Sequence, residues 1–214
     1  IMVGYPTERA TLSAVNGLVK GGADIIELGF PFSDPIADGP TIQKASTGSL
    51  NNKTKIEKFF KLVKKIRKQT SIPLILMTYT NILYRQGYQQ FIKRAKNAGI
   101  DGLILPDMSI EESKNYLAAA KLQKMDTIFL VSPNTKKDRL DKIAKASSGF
   151  LYMVAVFGTT GVQTKIHKYT IDALKSTKLS VGSKIPVGIG FGISTGNDVK
   201  KYASIGADAM IVGS

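Results

Sequence analysis

Three carboxylates in the stretch 25–43, IIELGFPFSDPIADGPTIQ, have the types and spacing that acid–base chemistry needs. Glu27 follows Ile25 and Ile26 in an apolar run that reads as a strand. A carboxylate inside such a strand is costly to bury unless it is paired or working. Asp34 and Asp38 come next, in a loop with Pro31, Pro35 and Pro40. Proline fixes φ, so Asp38 is expected to be held rather than free to wander. One carboxyl in a strand and one on a stiff loop can divide the work of a proton donor and an ionised partner, if the fold points both at one cavity. Plainer readings stand beside these. Glu27 could be a structural carboxylate, Asp38 a turn residue before Gly39, and Asp34 a turn residue before Pro35.

The elements that must position these groups follow from periodicity. Residues 1–3 read as a strand and 4–6 as a turn. Thr7 is placed to cap a helix to about residue 20, with Leu12, Val15, Leu18 and Val19 on one face and Gly21–Gly22 ending it. After the acidic loop, 41–49 reads as a short helix and 55–68 as a longer amphipathic one, with Ile56, Phe59, Phe60, Val63 and Ile66 inward. Strands are expected at 73–77, 102–105, 127–131, 150–156, 185–189 and 209–212. Helices are expected at 88–97, 111–123 (Ser109 as cap), 140–146, 171–178 and 197–205. Eight strands alternating with about seven helices imply a parallel sheet, and in 214 residues a closed barrel rather than an open sheet. The strands are near-continuous apolar runs, as coverage on both faces requires. Gly22-Ala23-Asp24, Gly99-Ile100-Asp101 and Gly206-Ala207-Asp208 repeat one helix-to-strand junction. There glycine permits a left-handed exit, and the Asp is expected to bond the turn backbone. With no linker or low-complexity tract, residues 1–214 read as one (β/α)8 domain.

Composition narrows the function classes. A hydrophobic fraction of 43% supplies a sizeable core, and the absence of cysteine excludes disulfides and thiolate chemistry. No apolar run is long enough to span a bilayer. With one histidine (His167, in a polar loop) and no cysteine, a transition-metal site is not expected. The net charge of +14 raises the question of nucleic acid. The lysines, however, mix with apolar residues at helical spacing, as solvated helix faces do, and no nucleic-acid motif accompanies them. The sequence opens in a strand-like stretch without an initiator methionine and stops after another strand, so both ends read as cut.

In a barrel of this kind the site gathers at the C-terminal ends of the strands. The residues there are Glu27, Asp34, Asp38, Tyr79, Asn81, Asp107, Ser132, Asn134, Thr160, Gly161, Gly190, Gly192, Gly213 and Ser214. The glycine-bearing loops after the last two strands could cradle a phosphate through backbone N–H groups. Either alone reads equally as a tight turn.

The stretch Glu27–Gln43 closely resembles the signature of the tryptophan synthase α subunit. In the same order, so do Met77-Thr78-Tyr79-Thr80-Asn81, Leu105-Pro106-Asp107 with Glu111-Glu112-Ser113, and Ser132-Pro133-Asn134. Thr159-Thr160-Gly161, Gly190-Phe191-Gly192-Ile193-Ser194 and Val212-Gly213-Ser214 complete a match over nearly the whole chain. The resemblance implies a (β/α)8 TIM barrel, here lacking the N-terminal helix and the final helix. The implied activity is retro-aldol cleavage of indole-3-glycerol phosphate to indole and glyceraldehyde 3-phosphate, in the cytoplasm. By position, Glu27 matches the general acid–base and Asp38 the carboxylate that accepts the indole N–H. Tyr79 matches an aromatic beside the indole, and Leu76, Ile104, Phe129 and Leu130 offer apolar surface. Thr160 matches a closing loop, and Gly161, Gly190, Gly192, Gly213 and Ser214 the phosphate cradle. The family also docks on a β subunit in an α2β2 assembly, with 31–35, Asn81 and 107–109 at or near the docking face. Pyridoxal phosphate would belong to that β partner, and no cofactor to this chain. Met2 departs from the family, standing where many relatives have a small polar residue, and Val156 stands where some have Arg. Two other readings compete: another phosphate-binding barrel, such as a phosphosugar isomerase or epimerase, and a non-catalytic subunit that activates a partner.

Overall fold

The computed structural model describes residues 1–154, 168–190, 193 and 195–213. Its contacts gather the chain into two compact units, Ile1–Asp126 and Thr127–Ser214. Two four-stranded sheets run β1-β2-β3-β4 and β5-β6-β7-β8, with parallel pairing wherever register is defined.

In the first unit, helix α1 (Glu8–Lys20) begins where Thr7 accepts the Ala10 amide. Gly22, at φ +87°, turns the chain out of it. Thr11 and Val15 are its buried residues, whereas Leu18, expected inside, is 45% exposed. β1 (Ile26–Gly29) follows, then α2 (Pro40–Asn51), which starts on Pro40 because proline's missing N–H is an orphan at that position anyway. α3 (Ile56–Arg67) buries Phe59, Phe60, Leu62, Val63 and Ile66 and leaves lysines outside, so its charge marks a solvated face. Each such burial contributes about 1.5–3 kcal/mol. β2 (Leu74–Met77), α4 (Thr80–Gln86), α5 (Tyr88–Ala98), β3 (Gly102–Ile104) and α6 (Lys114–Leu122) complete this unit, with β4 (Asp126–Ile128) starting at its end.

Register fixes which side chains share a face. Glu27 pairs with Ile75, Gly29 with Met77, and Met77 with Ile104, so all five lie on one face of the sheet. Ile26, Leu28, Leu74, Leu76 and Leu103 lie on the other face and are essentially solvent-free.

The second unit contains β5 (Leu130–Val131), α7 (Lys137–Ala146), β6 (Leu151–Val154), α8 (Lys168–Val181), β7 (Val187–Gly190), α9 (Gly196–Ser204) and β8 (Ala209–Ile211). α9 opens on a capping box that the sequence reading did not single out: the Asp198 amide donates to Thr195 Oγ1 (3.2 Å) and the Thr195 amide to Asp198 Oδ2 (2.9 Å).

Four expectations are corrected. Residues 1–3 do not form a strand; Met2 makes a single parallel bridge to Gly29. The strand expected at 127–131 is two, broken at Phe129, with β4 in the first sheet and β5 in the second. The helix expected from 111 begins at Lys114. Ser109 instead closes a separate turn, exchanging bonds with the Glu112 amide (3.3 Å) and carboxylate (3.0 Å). Finally, α4 was not anticipated.

The repeated glycine junction is confirmed, with one change. Gly22, Gly99 and Gly206 all have positive φ, at +87°, +101° and +99°. At the second and third junctions the Asp two residues on bonds the start of the neighbouring strand rather than its own turn. Asp101 Oδ2 accepts the Leu74 amide at 2.9 Å and Arg67 Nη2 at 2.6 Å. Asp208 Oδ2 accepts the Val187 amide at 2.7 Å and Lys178 Nζ at 2.6 Å.

Candidate active site

Glu27 is half-buried in β1, between the buried Ile26 and Leu28 that point the other way. Burial holds its carboxyl above the usual range, and the Asp38 charge adds to the shift. The two carboxylates are therefore within electrostatic reach of each other. A Glu in such surroundings keeps a proton available nearer neutral pH than a solvated one does.

Asp38 is 8% exposed and is held by more than the prolines around it. The Tyr79 hydroxyl donates to Asp38 Oδ2 at 3.0 Å and accepts the Ala37 amide at 3.1 Å. Gln43 Nε2 donates to the Asp38 carbonyl at 2.8 Å. At the loop's start, Ser46 donates to the Phe32 carbonyl (2.9 Å) and accepts the Phe32 amide (3.0 Å). The rings of Phe32 and Tyr79 stack with centroids 5.0 Å apart. Burial raises the Asp38 carboxyl above its usual range, and the Tyr79 hydrogen bond pulls it back by stabilising the ionised form. Tyr79 itself is held above its ordinary value, by burial first and by Asp38 and Asp107 as well, so it stays a donor.

Tyr79 is thus an anchor for Asp38, a role that spacing did not suggest. Asp34 is exposed and takes the Ser33 hydroxyl, as a turn residue does. Asp107 ties two loops: both its oxygens accept the Thr80 amide, at 2.9 and 3.1 Å, and one accepts the Thr80 hydroxyl at 2.9 Å. Ile104 shares the face of Glu27, as expected of a residue offering apolar surface there. Leu76 does not; register puts it on the opposite face, beside Leu28. Met77 is on the Glu27 face instead and was missed, although its spacing of two from Tyr79 carried the signal. Met2 lies over Gly29, where an added Cβ would stand 3.1 Å from the Met2 methyl.

In the second unit Phe129 is 4% exposed, and Leu130 is half-buried and paired with Tyr152. Gly190 is buried at the end of β7. A Cβ there would meet Tyr152 Oη at 2.4 Å, so the ring on β6 is a packing reason for this glycine. Gly213 is exposed after β8. Thr160, Gly161, Gly192 and Ser214 lie outside the described residues, as does His167. Among the described residues no cluster of His, Cys, Asp or Glu could hold a metal ion, and no helix is long and apolar enough to cross a membrane.

Comparison with known proteins is uniform. The family model described as tryptophan synthase alpha chain matches residues 1–214. The tryptophan synthase alpha chain of Methanosarcina acetivorans is 44% identical over 214 residues, covering 100% of this chain and 76% of that protein. That of Methanothermobacter thermautotrophicus is 41% identical, covering 100% and 78%. Among solved structures, a chain of the tryptophan synthase a2b2 complex from Pyrococcus furiosus superposes with a TM-score of 0.91 at 36% identity, covering 100% of this chain and 84% of that one. The separate A-subunit from the same organism gives 0.91 at 37% identity, covering 99% and 84%. The fold class is accordingly the α/β (β/α)8 type expected from the strand and helix alternation. With sequence and structure in agreement over essentially every residue, the chain belongs to the tryptophan synthase alpha chain family.

Proposed function

We propose that this chain is a carbon–carbon lyase that cleaves indole-3-glycerol phosphate to indole and glyceraldehyde 3-phosphate, with Glu27 and Asp38 doing the chemistry. The observation that carries the assignment of roles is the unequal treatment of two neighbouring carboxyls. Burial pushes both carboxyls towards their protonated forms, but at Asp38 a hydrogen bond from Tyr79 offsets part of that push by favouring the ionised form.

Protonated Glu27 delivers its proton to the indole ring carbon that carries the glycerol chain. The ring nitrogen becomes cationic, and the Asp38 carboxylate accepts its N–H and stabilises that charge. Glu27, now a carboxylate, takes the proton of the adjacent glycerol hydroxyl. The hydroxyl oxygen forms the aldehyde carbonyl, the carbon–carbon bond breaks, and its electron pair restores the aromatic ring. Glu27 ends protonated, as it began.

The residues assigned to the indole are Tyr79, Ile104, Phe129, Leu130 and Thr160, with Met77 added because it shares the face of Glu27. Gly161, Gly190, Gly192, Gly213 and Ser214 hold the phosphate by backbone amides. Residues 1–214 work as a single barrel domain, in the cytoplasm, without metal, nucleic acid or membrane. The partner is a β subunit in an α2β2 assembly, with pyridoxal phosphate on the β chain. The Pyrococcus furiosus a2b2 complex, of which a similar chain is part, supports the α2β2 assembly.

The test is indole release from indole-3-glycerol phosphate, with and without a β subunit. Glu27→Gln is expected to abolish it with the fold intact, and Asp38→Asn to lower it by about 10²–10³-fold. Near-normal turnover in either variant removes that residue from its role.

A further inference from the structure

We propose that Asp107 is a positioning residue for Asp38, acting through Thr80 and Tyr79. The proposal rests on the reading of Asp38 given above.

Asp107 lies beyond the end of β3, is exposed, and has no hydrogen bond to Asp38. What it holds is the peptide that follows Tyr79. Both Asp107 oxygens accept the Thr80 amide and one also accepts the Thr80 hydroxyl, so the 79–80 peptide plane is gripped by a fork rather than by one bond. On the other side of Tyr79, the Thr78 amide donates to the Ile104 carbonyl at 3.1 Å. The chain around Tyr79 is thus held at the peptide that follows it and at the 77–78 peptide one residue before it, and both holds come from the β3 segment and the loop after it. The Tyr79 hydroxyl stands at the far end of a long, rigid side chain. A small rotation at the 79–80 peptide therefore becomes a large displacement at the oxygen that bonds Asp38 Oδ2 and the Ala37 amide. Asp107 also helps to keep the Tyr79 proton in place, with burial the larger cause. The result is a relay across three loops, from Asp107 to Thr80 and Tyr79 and on to Asp38.

The plainer account is that Asp107 only caps the short helix α4, whose first residue is Thr80. A double-mutant cycle separates the two. Cleavage of indole-3-glycerol phosphate by the full chain is measured for Asp107→Ala, Tyr79→Phe and the double variant. If the relay holds, Asp107→Ala lowers kcat by about 10-fold with KM within about twofold, and costs less than about twofold once Tyr79→Phe is present. Losses that multiply in the double variant, or a loss carried by KM alone, overturn it. Should Asp107→Ala fail to fold by circular dichroism, Asp107→Asn, which keeps one oxygen for the Thr80 amide, enters the same cycle under the same criteria. Asp38→Asn is the control for the underlying reading. If it turns over normally, that reading falls and the relay with it; if it is inactive while the losses multiply, the relay alone falls.

Discussion

The two compact units handle their candidate site residues by different means. In Ile1–Asp126 the candidate catalytic groups are side chains, and several groups around them are fastened by side chains: Asp38 by Tyr79, the Phe32 backbone by Ser46, Thr80 by Asp107. In Thr127–Ser214 the described residues named for binding include two glycines with no side chain to fasten, and Gly190 is shaped by the ring of Tyr152 above it. A charge must be positioned to be useful, so its site accumulates partners that can be seen one by one. A backbone amide is positioned by the chain path itself, and the visible constraint is the absence of a Cβ.

Substitutions can break or sharpen that contrast. The largest effect is expected at Glu27. Glu27→Gln should abolish indole release, since the proton donor is lost. It should also stabilise the protein in one pH range only. Burial raises the folded-state pKa of Glu27 above its unfolded value. Ionisation therefore costs nothing below the unfolded pKa, and the full penalty is present once pH has passed the folded pKa. The variant's Tm should exceed the parent's at neutral to alkaline pH and match it in acid; equal Tm values throughout would mean that Glu27 is not destabilised by its site.

Gly190→Ala tests the other unit. A Cβ at 2.4 Å from Tyr152 Oη cannot be accommodated without movement. Overpacking of this kind costs about 1–3 kcal/mol, readable by urea unfolding. Adding Tyr152→Ala should recover part of the site's tolerance. A variant that keeps full stability and only raises KM would assign Gly190 to phosphate contact rather than to packing.

Asp208→Asn keeps an oxygen for the Val187 amide but loses the charge that strengthens that bond and pairs with Lys178, and is expected to cost about 1 kcal/mol. Lys178 and that amide hold the Asp208 carboxyl below its usual value against the opposing effect of burial. Its stabilisation is therefore present above the unfolded pKa and lost as pH falls through the folded pKa, so parent and variant should converge in strong acid. Turnover by Asp208→Asn should stay at the parent value.

The finest readout is a shift of a pH profile, beyond the loss of kcat expected of Tyr79→Phe itself. The Tyr79 bond lowers the Asp38 pKa, so Tyr79→Phe should move the acid limb of kcat to higher pH. An unmoved limb would separate Tyr79 from the ionisation of Asp38.

Much of this was legible in the chain itself, because the signals were local. Glu27 announces itself as an acid in an apolar run, Thr7 as a cap, and Gly22, Gly99 and Gly206 as left-handed exits. What could not be read depended on partners distant in sequence. α4 lacks a local cap because Asp107, 27 residues from Thr80, accepts its first amide. The choice between Leu76 and Met77 depended on register with β1, which single-strand periodicity does not carry when both faces are apolar. The break at Phe129 depended on which sheet each half-strand joins. Leu18 fitted the apolar stripe of α1, yet burial stops short of it. Tyr79 looked like a pocket aromatic because its hydroxyl's partners, Asp38 and Ala37, are about forty positions away.

The paired acid at 101 and at 208, each joining a cation from an earlier helix to the opening amide of an adjacent strand, has an implication for how this molecule tolerates change. Both fasteners sit where strands begin, whereas the candidate site residues Tyr79, Asp107 and Gly190 sit at or beyond the ends of β2, β3 and β7. Alignment of the scaffold and performance of the reaction are consequently governed from opposite ends of the same short segments. Sequence drift at one end can therefore be absorbed without being felt at the other.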